Sequence, residues 1–247
     1  MTAKFYIISL GPGNPELITI QALKVLEDCD VIFVPVRSSN LEWKGSVAYQ
    51  ILKNIYNTHE KWFKGSAESF NFIKSWEEKF APIYTPMIYD PDSWKDQVSQ
   101  IVNACNSNAK VGFVTLGDAG LFSSAYYLLD IIDGQYPNIS QNTEVIPGIS
   151  SISYASSLVK KPLCLGNSKL EIVPMHTEEI QSTKVYMRLH KGDDVSNLEG
   201  NDLYYFENLG LENESYNKGT PGIIENYLTV IINFASQAAP SMKDKEK

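Results

Sequence analysis

The chain has 247 residues, of which 43% are hydrophobic and 20% charged, a mixture that is typical of globular proteins and excludes general disorder. Its 21 Lys and Arg residues against 29 Asp and Glu residues give a net charge of −8, which argues against nucleic acid as the main partner. The three cysteines form neither a disulfide framework nor a metal-ligand spacing, and no apolar run reaches the length of a membrane span. We therefore expect a cytoplasmic protein that does not bind a membrane.

Strands and helices alternate along residues 1–160. The apolar pattern predicts strands over Phe5–Leu10, Val31–Val34, Ile83–Ile88, Val111–Leu116 and Glu144–Ile146. It predicts helices over Pro15–Asp28, Ser46–Tyr56, Asp92–Cys105, Leu121–Leu129 and Ile149–Val159. Pro86 cannot donate a ladder hydrogen bond, so we expect the strand at 83–88 to be short or to lie at the sheet edge. Residues 1–160 are thus predicted to form an α/β domain with an open, mostly parallel sheet.

The pattern changes after Lys160-Lys161-Pro162. Further strands are predicted over Leu170–Val173, Lys184–Leu189, Leu203–Phe206 and Tyr227–Ile232. We interpret residues 161–234 as a second α/β domain that is richer in strand than the first, and residues 235–247 as a loose polar tail. Residues 57–80 are rich in aromatic side chains among charged neighbours, and we interpret them as a partly helical insertion that packs over the first sheet.

Three turns follow strands of the first predicted sheet. Gly11-Pro12-Gly13-Asn14-Pro15 follows the first strand, Gly117-Asp118-Ala119-Gly120 follows the fourth, and Pro147-Gly148 follows the fifth, ahead of the pair Ser150-Ser151. Open α/β sheets bind ligands at the carboxyl ends of their strands, so these turns are candidates for one ligand site. Each also has a purely structural interpretation, because Asp118 and the two serines could simply cap the helices that follow them.

The sequence lacks the motifs of several common kinds of enzyme chemistry. SLGPGNP lacks the glycine spacing of a dinucleotide fingerprint, no Gly-Lys-Ser/Thr phosphate loop follows a strand, and no Ser or Cys stands in a nucleophile elbow. His59, His176 and His190 have no metal-like spacing. We expect no metal and no protein nucleophile. The pattern suits a transferase whose cosubstrate carries the reactive group, so that the protein binds and orients its ligands.

Four segments, taken in order and spacing, resemble the tetrapyrrole methylases. They are GPGNPELITIQALKVLEDCDVIFVP, VTLGDAGLFSSAYYLLD, EVIPGISSISYASS and KVYMRLHKG. Within that family, TPMIYDPDSW, KPLCLGNSKLEIVP and the insertion at 57–80 resemble the precorrin-2 C(20)-methyltransferases. The resemblance implies a homodimer of chains with two α/β domains, which binds S-adenosylmethionine between the domains. It also implies methyl transfer to C-20 of precorrin-2 or cobalt-precorrin-2 in cobalamin biosynthesis.

The resemblance also implies binding residues. Those for S-adenosylmethionine are Pro12, Leu116, Gly117, Asp118, Leu121, Ser150, Ser151, Met187 and Gly219. Those for the tetrapyrrole and its carboxylates are Asn14, Arg37, Lys44 and Arg188. For Arg37, a substrate contact and a surface salt bridge are open alternatives. No catalytic residue is assigned, because methyl transfer from a sulfonium to an electron-rich carbon depends on approach and desolvation more than on a base.

Two positions depart from the family pattern. Asn14 stands where relatives usually carry Asp, and Ala119 stands where Pro usually follows Gly-Asp. Two alternatives to the precorrin methyltransferase therefore stay open. One is a methyltransferase of the same fold with another acceptor, such as a diphthamide precursor or a ribosomal RNA ribose. The other is a non-catalytic tetrapyrrole-binding or nucleotide-binding module derived from such an enzyme.

Overall fold

The computed structural model of the protein describes residues 3–62, 78–86, 88–166, 169–172, 183–187, 189–208 and 213–234. The chain divides into two compact units, residues 1–169 and 170–247. Most of the predicted insertion, at 63–77, lies outside the described residues, as do Arg188 and the predicted tail at 235–247.

The first unit contains a five-stranded sheet with helices between its strands. Its strands are β1 Lys4–Ser9, β2 Val31–Val36, β3 Phe80–Tyr84, β4 Lys110–Thr115 and β5 Thr143–Ile146. Its helices are α1 Ile20–Asp28, α2 Val47–Trp62, α3 Pro91–Ser107, α4 Ala125–Gln135, α5 Pro137–Ser140 and α6 Ser151–Val159. The strand order is β3-β2-β4-β1-β5 and every neighbouring pair is parallel, so the predicted open parallel α/β sheet is confirmed. None of the helices in the described part of the chain has both the length and the hydropathy needed to cross a membrane.

Two apolar layers cover the two faces of this sheet. Successive side chains of a strand point to opposite faces, so Phe5 and Ile7 of β1 pack with α3 and α4, whereas Tyr6 and Ile8 pack with α1 and α2. A strand that is buried on both faces carries apolar residues at nearly every position. This explains why the strands of the first unit are recognisable in the sequence as continuous apolar runs.

The helix predicted over Pro15–Asp28 is two elements in the structure. Pro15–Leu17 forms a single 3-10 turn, and α1 begins only at Ile20. The interruption has a local cause, because the Thr19 hydroxyl accepts a hydrogen bond from the N–H of Ala22 at 3.1 Å and so caps a new helix. The prediction of one continuous helix was therefore wrong.

The helix predicted over Leu121–Leu129 begins later than expected. In the structure α4 starts at Ala125, whose N–H donates to Ser123 Oγ at 3.2 Å. Ser123 Oγ also lies 2.9 Å from Thr115 Oγ1 at the end of β4. These contacts hold residues 119–124 in an irregular turn beside the sheet edge, where the sequence pattern had predicted the first helical turn.

The strand predicted over Ile83–Ile88 lies at Phe80–Tyr84 instead. It forms an edge of the sheet, as Pro86 had indicated. The neighbouring strand β2 continues through Pro35, past the predicted end at Val34. Proline is tolerated there because β4 pairs with β2 only up to Phe33, so Pro35 lies beside β3 alone.

The described part of the second unit contains a four-stranded antiparallel sheet. Its strands are β6 Lys184–Tyr186, β7 Leu203–Glu207, β8 Ser215–Lys218 and β9 Thr229–Asn233, in the order β6-β9-β7-β8. Strand β8 was not predicted, because its sequence SYNK is polar and it lies exposed at the sheet edge. The predicted strand Leu170–Val173 is wrong over 170–172, which have no regular structure, and Val173 lies outside the described residues.

Candidate functional site

The first two predicted turns meet beyond the carboxyl ends of β1 and β4. The N–H of Gly11 donates to the carbonyl of Gly117 at 3.0 Å, and the N–H of Gly117 donates back to the carbonyl of Gly11 at 2.9 Å. Both glycines have positive φ angles, 73° and 65°, which glycine adopts without steric cost. The reciprocal pair therefore joins the turns into one backbone platform at the edge of the sheet.

The third turn packs directly against this platform. A Cβ atom placed on Gly148 would lie 2.5 Å from the Cβ of Ser9 and 2.6 Å from the carbonyl oxygen of Gly117. No side chain fits at such distances, so glycine is required for the β5–α6 connection to approach β1 and the Gly117 turn. The three turns predicted at the sheet edge are thus brought together.

Asp118 links the second and third turns through its side chain. Its Oδ1 atom accepts hydrogen bonds from the N–H of Gly120 at 3.1 Å and of Gly148 at 3.5 Å. The alternative that Asp118 caps the following helix is wrong, because Ser124 occupies the N-cap position of α4. A carboxylate has about four acceptor positions, so capacity remains for hydroxyl groups of a ligand. Burial raises the pKa of the Tyr126 hydroxyl, and the negative charge of Asp118 raises this pKa further.

The serine pair opens α6, as the capping interpretation had predicted for Ser150. Ser150 is the N-cap residue, and its Oγ accepts a hydrogen bond from the N–H of Ser153 at 3.2 Å. Ser150 and Ser151 nevertheless both line the cleft that the turns form. Capping and ligand contact are therefore compatible roles here.

A cleft of about 320 Å³ opens over the platform. Seven of the residues predicted to bind S-adenosylmethionine line it, namely Pro12, Leu116, Gly117, Asp118, Leu121, Ser150 and Ser151. The other lining residues, for which no individual ligand contact was predicted, are Gly11, Val47, Ile51, Phe122 and Ile152. Val47 and Ile51 are one helical turn apart at the start of α2, and such an apolar pair at the sheet's ligand edge was the available signal for them.

The lining suits a ligand that has both hydroxyl groups and apolar parts. A Cβ placed on Gly117 would meet no atom within 4 Å, so the backbone there is open to close approach by a ligand. Leu116 and Val47 are 47% and 52% exposed and provide apolar walls. The volume lies at the lower end of the roughly 300–1,000 Å³ range of small-molecule sites. In the described ranges, no group of three or more His, Cys, Asp or Glu side chains could hold a metal ion.

Two of the predicted cosubstrate residues belong to the second unit. Met187 directly follows β6 and is 66% exposed. Gly219 follows β8 with a φ of 95°, and its N–H donates to the carbonyl of Leu203 at 2.7 Å. Gly219 lines a depression of about 470 Å³ within that unit. The contact of Gly219 with S-adenosylmethionine stays a prediction.

The predicted substrate residues of the first unit have different surroundings. Asn14 accepts a hydrogen bond from the N–H of Glu16 at 3.0 Å and caps the 3-10 turn. Arg37 and Lys44 are both exposed in the loop between β2 and α2. Within the described part of the chain, neither cation has an ion-pair partner. The surface salt bridge considered for Arg37 is therefore not formed there, and both cations are accessible to an anionic ligand.

Comparisons with known proteins match this chain to one family. The family model for tetrapyrrole (corrin/porphyrin) methylases matches residues 4–220. The probable cobalt-precorrin-2 C(20)-methyltransferase of Methanocaldococcus jannaschii is 28% identical over 70% of this chain and 65% of its own length. The cobalt-precorrin-2 C(20)-methyltransferase of Salmonella typhimurium is 26% identical over 73% of this chain and 67% of its own.

A relative that is named for methylation at a different position has a comparable sequence identity. The cobalt-precorrin-4 C(11)-methyltransferase of Methanocaldococcus jannaschii is 27% identical over 66% of this chain and 48% of its own length. The matched region thus spans from about half to about two thirds of these curated relatives. Because the family match extends over residues 4–220, the chain belongs to the tetrapyrrole (corrin/porphyrin) methylase family.

Proposed function

We propose that this protein is an S-adenosylmethionine-dependent C-methyltransferase that acts on C-20 of precorrin-2 or cobalt-precorrin-2. One observation carries the proposal: the reciprocal Gly11–Gly117 hydrogen bonds and the close packing of Gly148 bring together three turns whose residues line a single cleft. Family membership supports the reaction class. The names of the two C(20) relatives support the position of methylation.

The residues of the cleft would bind and orient the methyl donor. S-adenosylmethionine supplies an electrophilic methyl group on a sulfonium centre. Asp118 accepts hydrogen bonds from the ribose hydroxyls with its remaining acceptor capacity, and the open backbone at Gly117 allows the nucleoside to approach closely. Leu116 and Leu121 form apolar walls that exclude water around the reacting groups. Orientation and desolvation, rather than a protein nucleophile, account for the rate enhancement.

Cations outside the cleft would hold the acceptor. A precorrin carries many carboxylates, and an arginine can bind a carboxylate with two parallel hydrogen bonds. Arg37 and Lys44 lie in the loop after β2, whose carboxyl end faces the same sheet edge as the turns of the cleft. Both are exposed and have no ion-pair partner in the described ranges, so no internal salt bridge has to break before the acceptor binds.

A calorimetric titration with S-adenosylhomocysteine tests the proposal, with NAD as the control ligand. We expect saturable binding of S-adenosylhomocysteine and none of NAD. Turnover with precorrin-2 should then add one methyl mass to the acceptor and consume one equivalent of the donor. Absence of S-adenosylhomocysteine binding would contradict the proposal and favour the non-catalytic binding module.

A second candidate acceptor is the position C-11 of a precorrin-4. The similarity to the C(11) relative favours it, because the identity is close to that of the C(20) relatives. Incubation with each acceptor, followed by mass spectrometry of the product, separates the two candidates. We expect methylation of precorrin-2 or its cobalt form, and methylation of the precorrin-4 acceptor alone would contradict the C-20 assignment.

A further inference from the structure

Phe122 combines two unfavourable features at the cleft. Its φ angle is 52°, in the left-handed region that residues with a Cβ rarely adopt, and its side chain is 72% exposed. An exposed phenylalanine gains little free energy from apolar burial, so the packing of this side chain does not offset the cost of its left-handed backbone conformation. Strained residues persist where their surroundings over-determine them, and they cluster at binding sites.

Contacts on both sides hold Phe122 in this conformation. Before it, the N–H of Leu121 donates to the carbonyl of Asp118 at 3.1 Å. After it, Ser123 Oγ lies 2.9 Å from Thr115 Oγ1 and accepts the N–H of Ala125 at 3.2 Å. The turn is therefore anchored to the end of β4 and to the start of α4, and the ring of Phe122 is presented outward between the two anchors.

The size of the cleft separates its floor from its rim. A volume of about 320 Å³ is too small to enclose both a nucleoside and a four-ring macrocycle. The floor is the buried Gly11 and the half-buried turn at Gly117 and Asp118. The rim is formed by the exposed side chains of Val47 and Phe122. A larger acceptor that receives a methyl group from a donor in this cleft would lie across its rim.

We propose that Phe122 is a specificity-determining residue whose ring packs against the conjugated face of the tetrapyrrole acceptor. The inference rests on the proposed function for the identity of the acceptor. Aromatic rings gain from offset stacking on flat conjugated systems. A ring whose backbone is already fixed loses less conformational freedom on binding than a mobile side chain does. The strain at Phe122 thus provides a preorganised apolar surface on which the conjugated part of the acceptor can pack.

The test uses the full chain with three variants, Phe122→Ala, Phe122→Tyr and Phe122→Gly. The probes are uroporphyrin, a stable carboxylated tetrapyrrole, followed by fluorescence titration, and S-adenosylhomocysteine, followed by calorimetry. We expect Phe122→Ala to weaken uroporphyrin binding about tenfold, whereas Phe122→Tyr stays within about threefold of the wild type. The affinity for S-adenosylhomocysteine should change less than the affinity for uroporphyrin in every variant, because Phe122 lies at the rim of the cleft and not on its floor. Phe122→Gly removes the ring, so this variant should bind uroporphyrin weakly. Because glycine also relieves the backbone strain, the variant should not unfold at a lower urea concentration than the wild type.

Each outcome decides between the inference and its rivals. Unchanged uroporphyrin affinity in Phe122→Ala would overturn the inference, as would a wild-type chain that does not bind uroporphyrin. A selective loss of S-adenosylhomocysteine affinity would also overturn it, because Phe122 would then contact the methyl donor. If the wild type binds uroporphyrin through Phe122 but does not bind S-adenosylhomocysteine, the inference holds and the proposed methyltransferase function fails.

Discussion

The hydroxyl of Ser9 accepts a hydrogen bond from the N–H of Ala119 at 2.9 Å, and both residues are fully buried. This bond ties the last residue of β1 to the turn that follows β4. The family pattern that the sequence resembles predicts Pro at the position of Ala119, and a proline has no N–H to donate. The departure at Ala119 is therefore matched by a buried acceptor, so the substitution adds an internal contact to the platform.

A double-mutant cycle on this pair tests whether the contact stabilises the platform. Ser9→Ala leaves a buried N–H without a partner, and Ala119→Pro removes the donor, so each should lower the free energy of unfolding by roughly 1–3 kcal/mol. In the double variant neither unpaired group remains, and its loss should be smaller than the sum of the two single losses by about 1 kcal/mol. Urea denaturation of the four proteins measures this coupling. Strict additivity would show that the bond contributes nothing to stability.

Three glycine-to-alanine variants separate close packing from backbone conformation. Gly148→Ala places a Cβ 2.5 Å from that of Ser9 and should destabilise the fold by about 3 kcal/mol. Gly117→Ala meets no atom but has a φ of 65°, so we expect a loss of about 1–2 kcal/mol. Gly134→Ala in α4 is the matched control and should gain about 0.5–1 kcal/mol from helix propensity. Equal effects at all three sites would contradict the proposed packing of the turns.

The sheet of the first unit could be predicted because its strands are buried on both faces and appear as continuous apolar runs. The edge strand β8 could not, since SYNK is polar and gains its structure from pairing with β7. The delayed start of α4 depends on the contact between Thr115 and Ser123, which brings together residues eight positions apart and leaves no periodic signal. Local propensity cannot anticipate such tertiary contacts.

The site was predictable to the extent that its residues follow strands. All seven first-unit residues assigned to S-adenosylmethionine line one cleft, and their contact with that ligand stays a prediction. The reciprocal bonds between Gly11 and Gly117 could not be anticipated, because positive φ angles are not encoded by glycine alone. The homodimer also stays a prediction, and light scattering of the purified protein would test it.

Asp118→Ala should lower the affinity for S-adenosylhomocysteine by about tenfold to a hundredfold. The carboxylate would otherwise accept hydrogen bonds from ligand hydroxyls, and bonds to charged groups contribute roughly 1.5–3 kcal/mol each. Calorimetry on Asp118→Ala and on Asp96→Ala, an exposed acid of α3, measures the effect and its control. Because Asp118 Oδ1 also holds the N–H groups of Gly120 and Gly148, the urea midpoint of each variant has to be compared as well. Unchanged affinity in a folded Asp118→Ala protein would refute the assigned role.

The three cysteines should differ sharply in reactivity. Burial raises the pKa of the Cys29 thiol from 9.0 to about 12 and that of Cys105 to about 11, whereas Cys164 is exposed. The thiolate is the reactive form, so at pH 8 a thiol reagent should label one cysteine per native chain and all three after unfolding. A native Cys164→Ser variant should lose the rapid labelling that the native wild type shows. Rapid labelling of two or more sites in the native protein would contradict the buried positions of Cys29 and Cys105.

The same shifts predict a loss of stability in alkali. Because the native pKa values of Cys29 and Cys105 lie above the ordinary value of 9.0, the native state keeps protons that the unfolded state releases. The two protonated thiols contribute fully to the free energy of unfolding below pH 9, and this contribution is lost as the pH rises through their pKa values in the native state. The decrease in the urea midpoint between pH 8 and pH 10.5 should therefore be smaller in a Cys105→Ala variant than in the wild type, after correction for the variant's lower stability at pH 8.

Arg37→Ala should raise the KM for the tetrapyrrole acceptor about tenfold and leave the affinity for S-adenosylhomocysteine unchanged. The guanidinium is exposed and has no ion-pair partner in the described part of the chain, so its removal breaks no internal salt bridge. An acceptor carboxylate would lose a charge-assisted contact that contributes roughly 1–2 kcal/mol. Lys4→Ala is the matched control, because Lys4 is an exposed cation at the amino end of β1, the sheet edge opposite the cleft. Arg37→Lys keeps the charge but loses the bidentate geometry and should be intermediate. If Arg37→Ala and Lys4→Ala give the same KM, Arg37 does not contact the acceptor, and the acceptor carboxylates must be held by other cations of the chain.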